Sequence, residues 1–137
     1  MPELTPAAPA RRSTILIVED HAELRRMIVL TLRRQYDIVE ASDAAQALAA
    51  LAHQPFHAMI LDVMMPGEMD GFQLCDHVKR SPSLRGTHVI LVTARGQEHD
   101  IAFGRAMGAD AYFVKPFSPL ALVRHLDSLP GAKGVGG

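Results

Sequence analysis

Short, unbroken apolar runs recur along this chain, and each is followed by a stretch with helical periodicity. Thr14-Ile15-Leu16-Ile17-Val18 shows no polar alternation, so it reads as a strand covered on both faces. Tyr36–Ala41, His57–Leu61, His88–Thr93 and Asp110–Lys115 read as four further strands. Strands buried on both faces belong to parallel sheets, because parallel neighbours need crossovers and right-handed crossovers lay helices on both sides.

The intervening segments supply those helices. Residues 21–34 place Leu24, Met27, Ile28, Thr31 and Leu32 at helical spacing, with Arg25, Arg26, Arg33 and Arg34 largely off that stripe. Ser42 is expected to cap the Ala-rich helix AAQALAALA. Asp70-Gly71 opens a third helix carrying Leu74, Cys75 and Val78 on one side, and Pro82 lies beyond its end. Residues 97–107 form a fourth, with Gly108 as its left-handed C-terminal residue. Ser118 caps a last helix with Pro119 at its first position and Leu122, Val123, Leu126 and Leu129 on its apolar stripe. The pattern is (βα)5. It predicts an α/β fold, a doubly wound five-stranded parallel sheet of flavodoxin-like order 2-1-3-4-5.

Composition narrows the function classes. A chain of 137 residues with 48% apolar content makes one domain and a real core. Residues 1–12 read as a flexible leader, 13–129 as the domain and 130–137 as a Gly-rich tail. The net charge of −1 argues against direct nucleic-acid binding, which needs a clustered positive excess. No window approaches the ~20 apolar residues of a membrane span, so no membrane insertion is expected. The single cysteine, Cys75, excludes a disulfide within the chain and suits a reducing cytoplasm.

In an open parallel sheet, ligands bind outside the C-terminal ends of the strands. The first strand ends in Glu19-Asp20, the third in Asp62, the fourth in Thr93 and the fifth in Lys115-Pro116. Three carboxylates on one rim raise each other's pKa, and a hard divalent cation relieves the repulsion. Mg2+ takes oxygen ligands and keeps several waters. Lys115 offers charge and Thr93 a hydroxyl to a phosphoryl group, whose transfer needs mainly positioning and neutralisation. A carboxylate is an adequate nucleophile for it. Singly, each residue has a plainer reading: helix-dipole acids at Glu19-Asp20, a loop-opening Asp62, a strand-terminal Thr93, a solvated Lys115. Together, on four strand ends, they form a matched set.

The segments ILIVED, MILDVMMPGEMDG, VILVTA and GADAYFVKPF resemble those of bacterial two-component response-regulator receiver domains, including the single-domain chemotaxis regulators. The resemblance covers residues 13–129. It implies that Asp62 is the phospho-acceptor, supplied by a sensor histidine kinase or a histidine phosphotransfer protein in the cytoplasm. It implies Mg2+ held directly by Asp20 and Asp62, by Glu19 through water, and by the backbone carbonyl of Met64. It implies that Thr93 and Lys115 contact the phosphoryl group, that Lys115-Pro116 is cis, and that Tyr112 changes rotamer on activation. The face of the fourth helix, fifth strand and fifth helix would then carry the output. Such a domain turns over no external substrate.

Some features depart from the family pattern. The loop from Met64 to Gly71 is one residue longer than the commonest version, at Glu68, and a local bulge is expected there. Met64 and Arg95 stand at the two positions that tune dephosphorylation in the family. The fifth strand and last helix lack the acidic and arginine pattern of regulators that dimerise through that face.

Three rivals use similar parts. A phosphatase of the haloacid dehalogenase type needs a second acid two residues after its nucleophile, where this chain has Met64, and carries that nucleophile on its first strand. A flavin-binding module needs a Gly- and hydroxyl-rich loop where Glu19-Asp20 stand. A receiver-like docking module without phosphorylation has no use for the complete set. The seven histidines show no metal-ligand spacing on one element, since Pro55 separates His53 from His57, and no zinc site is expected.

Overall fold

A computed structural model of the protein describes residues 12–131. Five strands and five helices alternate: β1 (Thr14–Val18), α1 (Ala22–Leu32), β2 (Asp37–Ala41), α2 (Ala44–His53), β3 (Ala58–Asp62), α3 (Gly71–Arg80), β4 (His88–Thr93), α4 (Glu98–Ala106), β5 (Ala111–Val114) and α5 (Pro119–Asp127). All pairings are parallel and the order is β2-β1-β3-β4-β5. This is the flavodoxin-like topology expected from the pattern.

The two-residue side-chain period of the strands divides the core in two. Leu16, Met59, Leu61 and Leu91 meet α2 and α3 on one face, through Ala47, Leu51, Leu74 and Val78. Ile15, Ile17, Ile60 and Ile90 meet α1 and α5 on the other, through Ile28, Leu32, Leu122 and Leu126. β1 is fully buried from Ile15 to Val18, hence its lack of alternation. Each such aliphatic side chain contributes about 1.5–3 kcal/mol of transfer free energy, against the entropy of ordering the chain.

Several boundaries move. The N-cap of α2 is Asp43, not Ser42: Asp43 Oδ1 accepts the Gln46 N–H at 2.8 Å. The Ser42 N–H instead donates to Gln46 Oε1 at 2.9 Å. Both residue types cap helices, and the first turn selects the one immediately before Ala44. Tyr36 precedes β2 rather than opening it; it is buried, and its hydroxyl donates to Asp127 Oδ1 at 2.6 Å. β3 begins one residue later than expected and includes Asp62 as its last residue. Asp70 and Gln73 form a reciprocal capping box at α3. Ser118 caps α5 behind Pro119. Gly108 takes φ 97, as its place after α4 requires.

The expected tail (130–137) falls mostly, and the leader (1–12) almost wholly, outside the described residues. Arg12 belongs to the folded body, since its guanidinium donates to the carbonyls of Arg33 at 2.6 Å and Tyr36 at 3.2 Å. Among the described residues no helix is long and apolar enough to cross a membrane.

Candidate functional site

Parallel strands end on the same side, so the sheet gathers onto one rim residues far apart in sequence. Glu19 and Asp20 follow β1, Asp62 closes β3, Thr93 closes β4, and Lys115 follows β5 with a cis bond to Pro116. Glu19, Asp20 and Asp62 each present a carboxylate oxygen, and the three atoms lie within 4.8 Å of one another. Strand alternation alone would make the neighbours Glu19 and Asp20 diverge. They converge because β1 has ended at Val18 and the chain is already turning into α1.

Lys115 reaches into this cluster. Its Nζ is 3.2 Å from Glu19 Oε1 and 3.5 Å from Asp62 Oδ1. Its backbone N–H donates to the Thr93 carbonyl at 2.8 Å, which fixes its place beside β4. The Met64 N–H donates to Asp62 Oδ1 at 3.2 Å and the His21 N–H to Glu19 Oε2 at 3.2 Å. Glu19, Asp62 and Thr93 are buried, whereas Asp20 is exposed at the mouth.

Three carboxylates face one ammonium at this rim. The imbalance is felt at Asp62, whose carboxyl is pushed up to about 7. Burial is the largest cause, and the Glu19 hydrogen bond and charge add to it. Lys115 and the Met64 N–H act the other way. An all-oxygen, acid-rich set with one member open to solvent fits a hard divalent cation that keeps part of its water shell.

The loop after Asp62 turns at Gly67, which takes φ 103, with Pro66, Gly67 and Glu68 all exposed. The loop then returns onto β3: the Gly71 N–H donates to the Val63 carbonyl at 2.9 Å, and a Cβ on Gly71 would overlap the Asp62 carbonyl. Met64 leaves its side chain 58% exposed beside the rim.

Thr93 Oγ1 accepts the Arg95 N–H at 3.2 Å, and the Tyr112 hydroxyl donates to the Arg95 carbonyl at 2.7 Å. The two residues that the sequence singles out for a switch therefore meet through Arg95. Asp100, a buried carboxylate of α4 paired with the Arg95 guanidinium at 3.0 Å, was not among the residues singled out by sequence. Its signal was its position three residues after Gln97, which is capping-box spacing.

Residues 15–127 match the family model described as the response regulator receiver domain. The chain belongs to that family. This receiver is 40% identical over 121 residues to the phosphate regulon transcriptional regulatory protein PhoB of Escherichia coli (strain K12), covering 88% of this chain and 52% of that protein. It thus spans about half the length of the curated relatives it matches. The Vibrio cholerae chemotaxis protein CheY4 has a similar solved structure, with TM-score 0.79 and 31% identity over 85% of this chain and 97% of that one. A signal receiver domain of a histidine kinase from Syntrophus aciditrophicus is also similar, with TM-score 0.76 and 32% identity over 82% of this chain and 86% of that one. Receivers of similar fold thus occur in a chemotaxis protein and in a histidine kinase.

Proposed function

We propose that this receiver accepts one phosphoryl group on Asp62 from a sensor histidine kinase or a histidine phosphotransfer protein. An Asp62 carboxylate oxygen attacks phosphorus, the phosphorus–nitrogen bond of the donor phosphohistidine breaks, and the departing imidazole keeps the electron pair and takes up a proton. The observation that carries the reading is the placement of Asp62: buried at the end of β3, among Glu19 and Asp20, with the Lys115 ammonium 3.5 Å away. Asp20 and Asp62 would hold Mg2+ directly, with the Met64 carbonyl, and Glu19 would act more remotely. When bound, Mg2+ supplies charge neutralisation between the carboxylates and the phosphoryl oxygens. Lys115 draws the phosphoryl oxygens toward Asp62, and Thr93 donates its hydroxyl to one of them.

The donor is met near the same rim. Leu24, Met27, Ala94, Pro116 and Phe117 line an apolar groove of about 520 Å³ that ends at Lys115. A cytoplasmic setting suits the kinase partner and the buried free thiol of Cys75. No external substrate is turned over. The output is a population shift at the face of α4, β5 and α5, where Phe103, Val114 and Leu120 are exposed.

Acetyl phosphate and Mg2+ test this directly. Intact-mass analysis is expected to show one added phosphoryl group on the wild type, none with EDTA and none on Asp62→Asn. Undiminished labelling of the variant contradicts the assignment. Steady turnover of a chromogenic phosphate ester would favour the phosphatase reading instead.

A further inference from the structure

The end of the sheet opposite the acids collects imidazoles. His88 opens β4, and His125 lies in the last turn of α5. No single element carries zinc-ligand spacing; the pairing comes from the way α5 crosses β4. The two Nε2 atoms meet at 2.9 Å, with ring centroids 5.1 Å apart. Each ring is also held on another side. Asp110 Oδ2, fixed by Lys79 at 2.7 Å and by the Val89 N–H at 2.8 Å, lies 3.8 Å from His88 Nδ1. Phe113 packs edge-on against the His125 ring at 5.7 Å. The His88 side chain keeps 22% of its surface open to solvent, so the pair can be reached from outside.

A third imidazole stands beside them. His57 immediately precedes β3, its carbonyl accepts the His88 N–H at 3.2 Å, and its Nε2 is buried without a hydrogen-bond partner among the described residues. Among the described residues only Glu19, Asp20 and Asp62 bring three ligand atoms within 4.8 Å of one another, so His57 is a neighbour of the pair and not a member. The spacing of the paired rings is informative. A zinc–nitrogen bond of about 2.0–2.1 Å puts the ion about 3.2 Å from an imidazole centre. Two ring centres 5.1 Å apart then subtend about 105° at a shared ion, close to tetrahedral. Each ring need only pivot about its own centre, which opens the Nε2 pair from 2.9 Å to about 3.3 Å.

We propose that His88 and His125 form a two-histidine zinc site that joins β4 to α5, with water in the remaining positions and Asp110 steadying the His88 ring from behind. The site stands whether or not Asp62 is the phospho-acceptor. In the free protein one Nε2–H donates to the other Nε2. On binding, that ring moves its proton to Nδ1, and both Nε2 lone pairs turn to the ion. A carboxylate behind a ligating imidazole fixes its tautomer and orientation, the place that Asp110 holds at His88 Nδ1. Two protein ligands make an exchangeable site and not a closed structural one. Because the unfolded chain offers no such pair, bound zinc stabilises the docking of α5 on the sheet. A plain hydrogen bond between two rings predicts no ion at this rim.

The test is a titration of the full chain with zinc chloride near neutral pH, in excess Mg2+ to occupy the acidic rim. It is followed by nitrogen NMR of the histidine side chains and by calorimetry. In wild type the Nε2 signals of His88 and His125 are expected to move together to metal-bound positions, and EDTA is expected to return them. Loss of a ligand costs at least what loss of an outer partner does, so His88→Gln and His125→Gln are each expected to weaken binding roughly 10- to 100-fold. His53→Gln, which alters an exposed ring on α2, is expected to change nothing. Wild-type Nε2 signals of His88 and His125 that stay put in excess zinc overturn the site, and this reading needs no variant to fold. Zinc that moves only signals of the acidic rim or of the exposed histidines overturns it as well. So does a folded His88→Gln or His125→Gln that binds as tightly as wild type.

Discussion

The two rims of the sheet treat charge in opposite ways. At the C-terminal rim Glu19, Asp20 and Asp62 crowd together with one lysine among them, and the Asp62 carboxyl is pushed far up. At the N-terminal rim the charges pair off. Asp110 Oδ2 takes Lys79 Nζ at 2.7 Å and the Val89 N–H at 2.8 Å, and Lys79 also donates to the Thr87 carbonyl at 2.7 Å. His88 Nε2 and His125 Nε2 meet at 2.9 Å, one ring donating and the other accepting. One rim holds surplus negative charge of the kind that a cation neutralises. The other rim fastens α3, β4 and α5 together. Charge removal is therefore expected to have opposite signs at the two ends.

The largest effect is expected at the N-terminal rim. Lys79→Met removes an ammonium that serves Asp110 and the carbonyls of Thr87 and Arg85. Urea titration is expected to show a loss of about 2–3 kcal/mol, since charged hydrogen bonds to partly buried groups are the costly ones to break. No loss would place this rim with ordinary surface pairs.

A smaller effect comes from the histidines. The pKa of His88 is lowered, by burial first; Asp110 raises it, while His125, Lys79 and His57 lower it. His57 is lowered by burial too, and its Nε2 is buried without a hydrogen-bond partner among the described residues. A base held below its ordinary 6.5 binds protons more readily when unfolded. Its contribution is full above that pH and declines as the pH falls below it. The two histidines are expected to subtract stability as the pH falls below 6.5, against the opposite contribution of Asp62, and His88→Gln to reduce their share by under about 1 kcal/mol, with His57 retaining its own. An unchanged slope in a pH series of melts removes His88 from the account.

The C-terminal rim was legible in sequence because each of its residues ends a strand, and parallel topology carries strand ends to one place. β1 and β4 were readable to the residue, since unbroken apolar runs mark fully buried strands. The N-terminal rim was not legible. His88 and His125 are 37 residues apart, and their contact depends on how α5 crosses β4, which no local spacing encodes. Asp43 displaced Ser42 as the cap because two good capping residues stood side by side and only the backbone of the first turn chooses between them.

Melting of wild type and Asp62→Asn, with and without Mg2+, tests whether Asp62 carries the surplus charge. The folded Asp62 carboxyl titrates near pH 7 against an ordinary 3.8, so the unfolded chain ionises first. The stability that its protonated form retains is lost as pH rises from about 4 through 7. At pH 8 without Mg2+, Asp62→Asn is expected to be more stable than wild type by about 1–2 kcal/mol, an advantage that vanishes toward pH 4. Added Mg2+ is expected to raise the wild-type Tm and to leave the variant nearly unmoved. A variant that is less stable than wild type at pH 8, or that gains as much from Mg2+ as wild type does, contradicts the account.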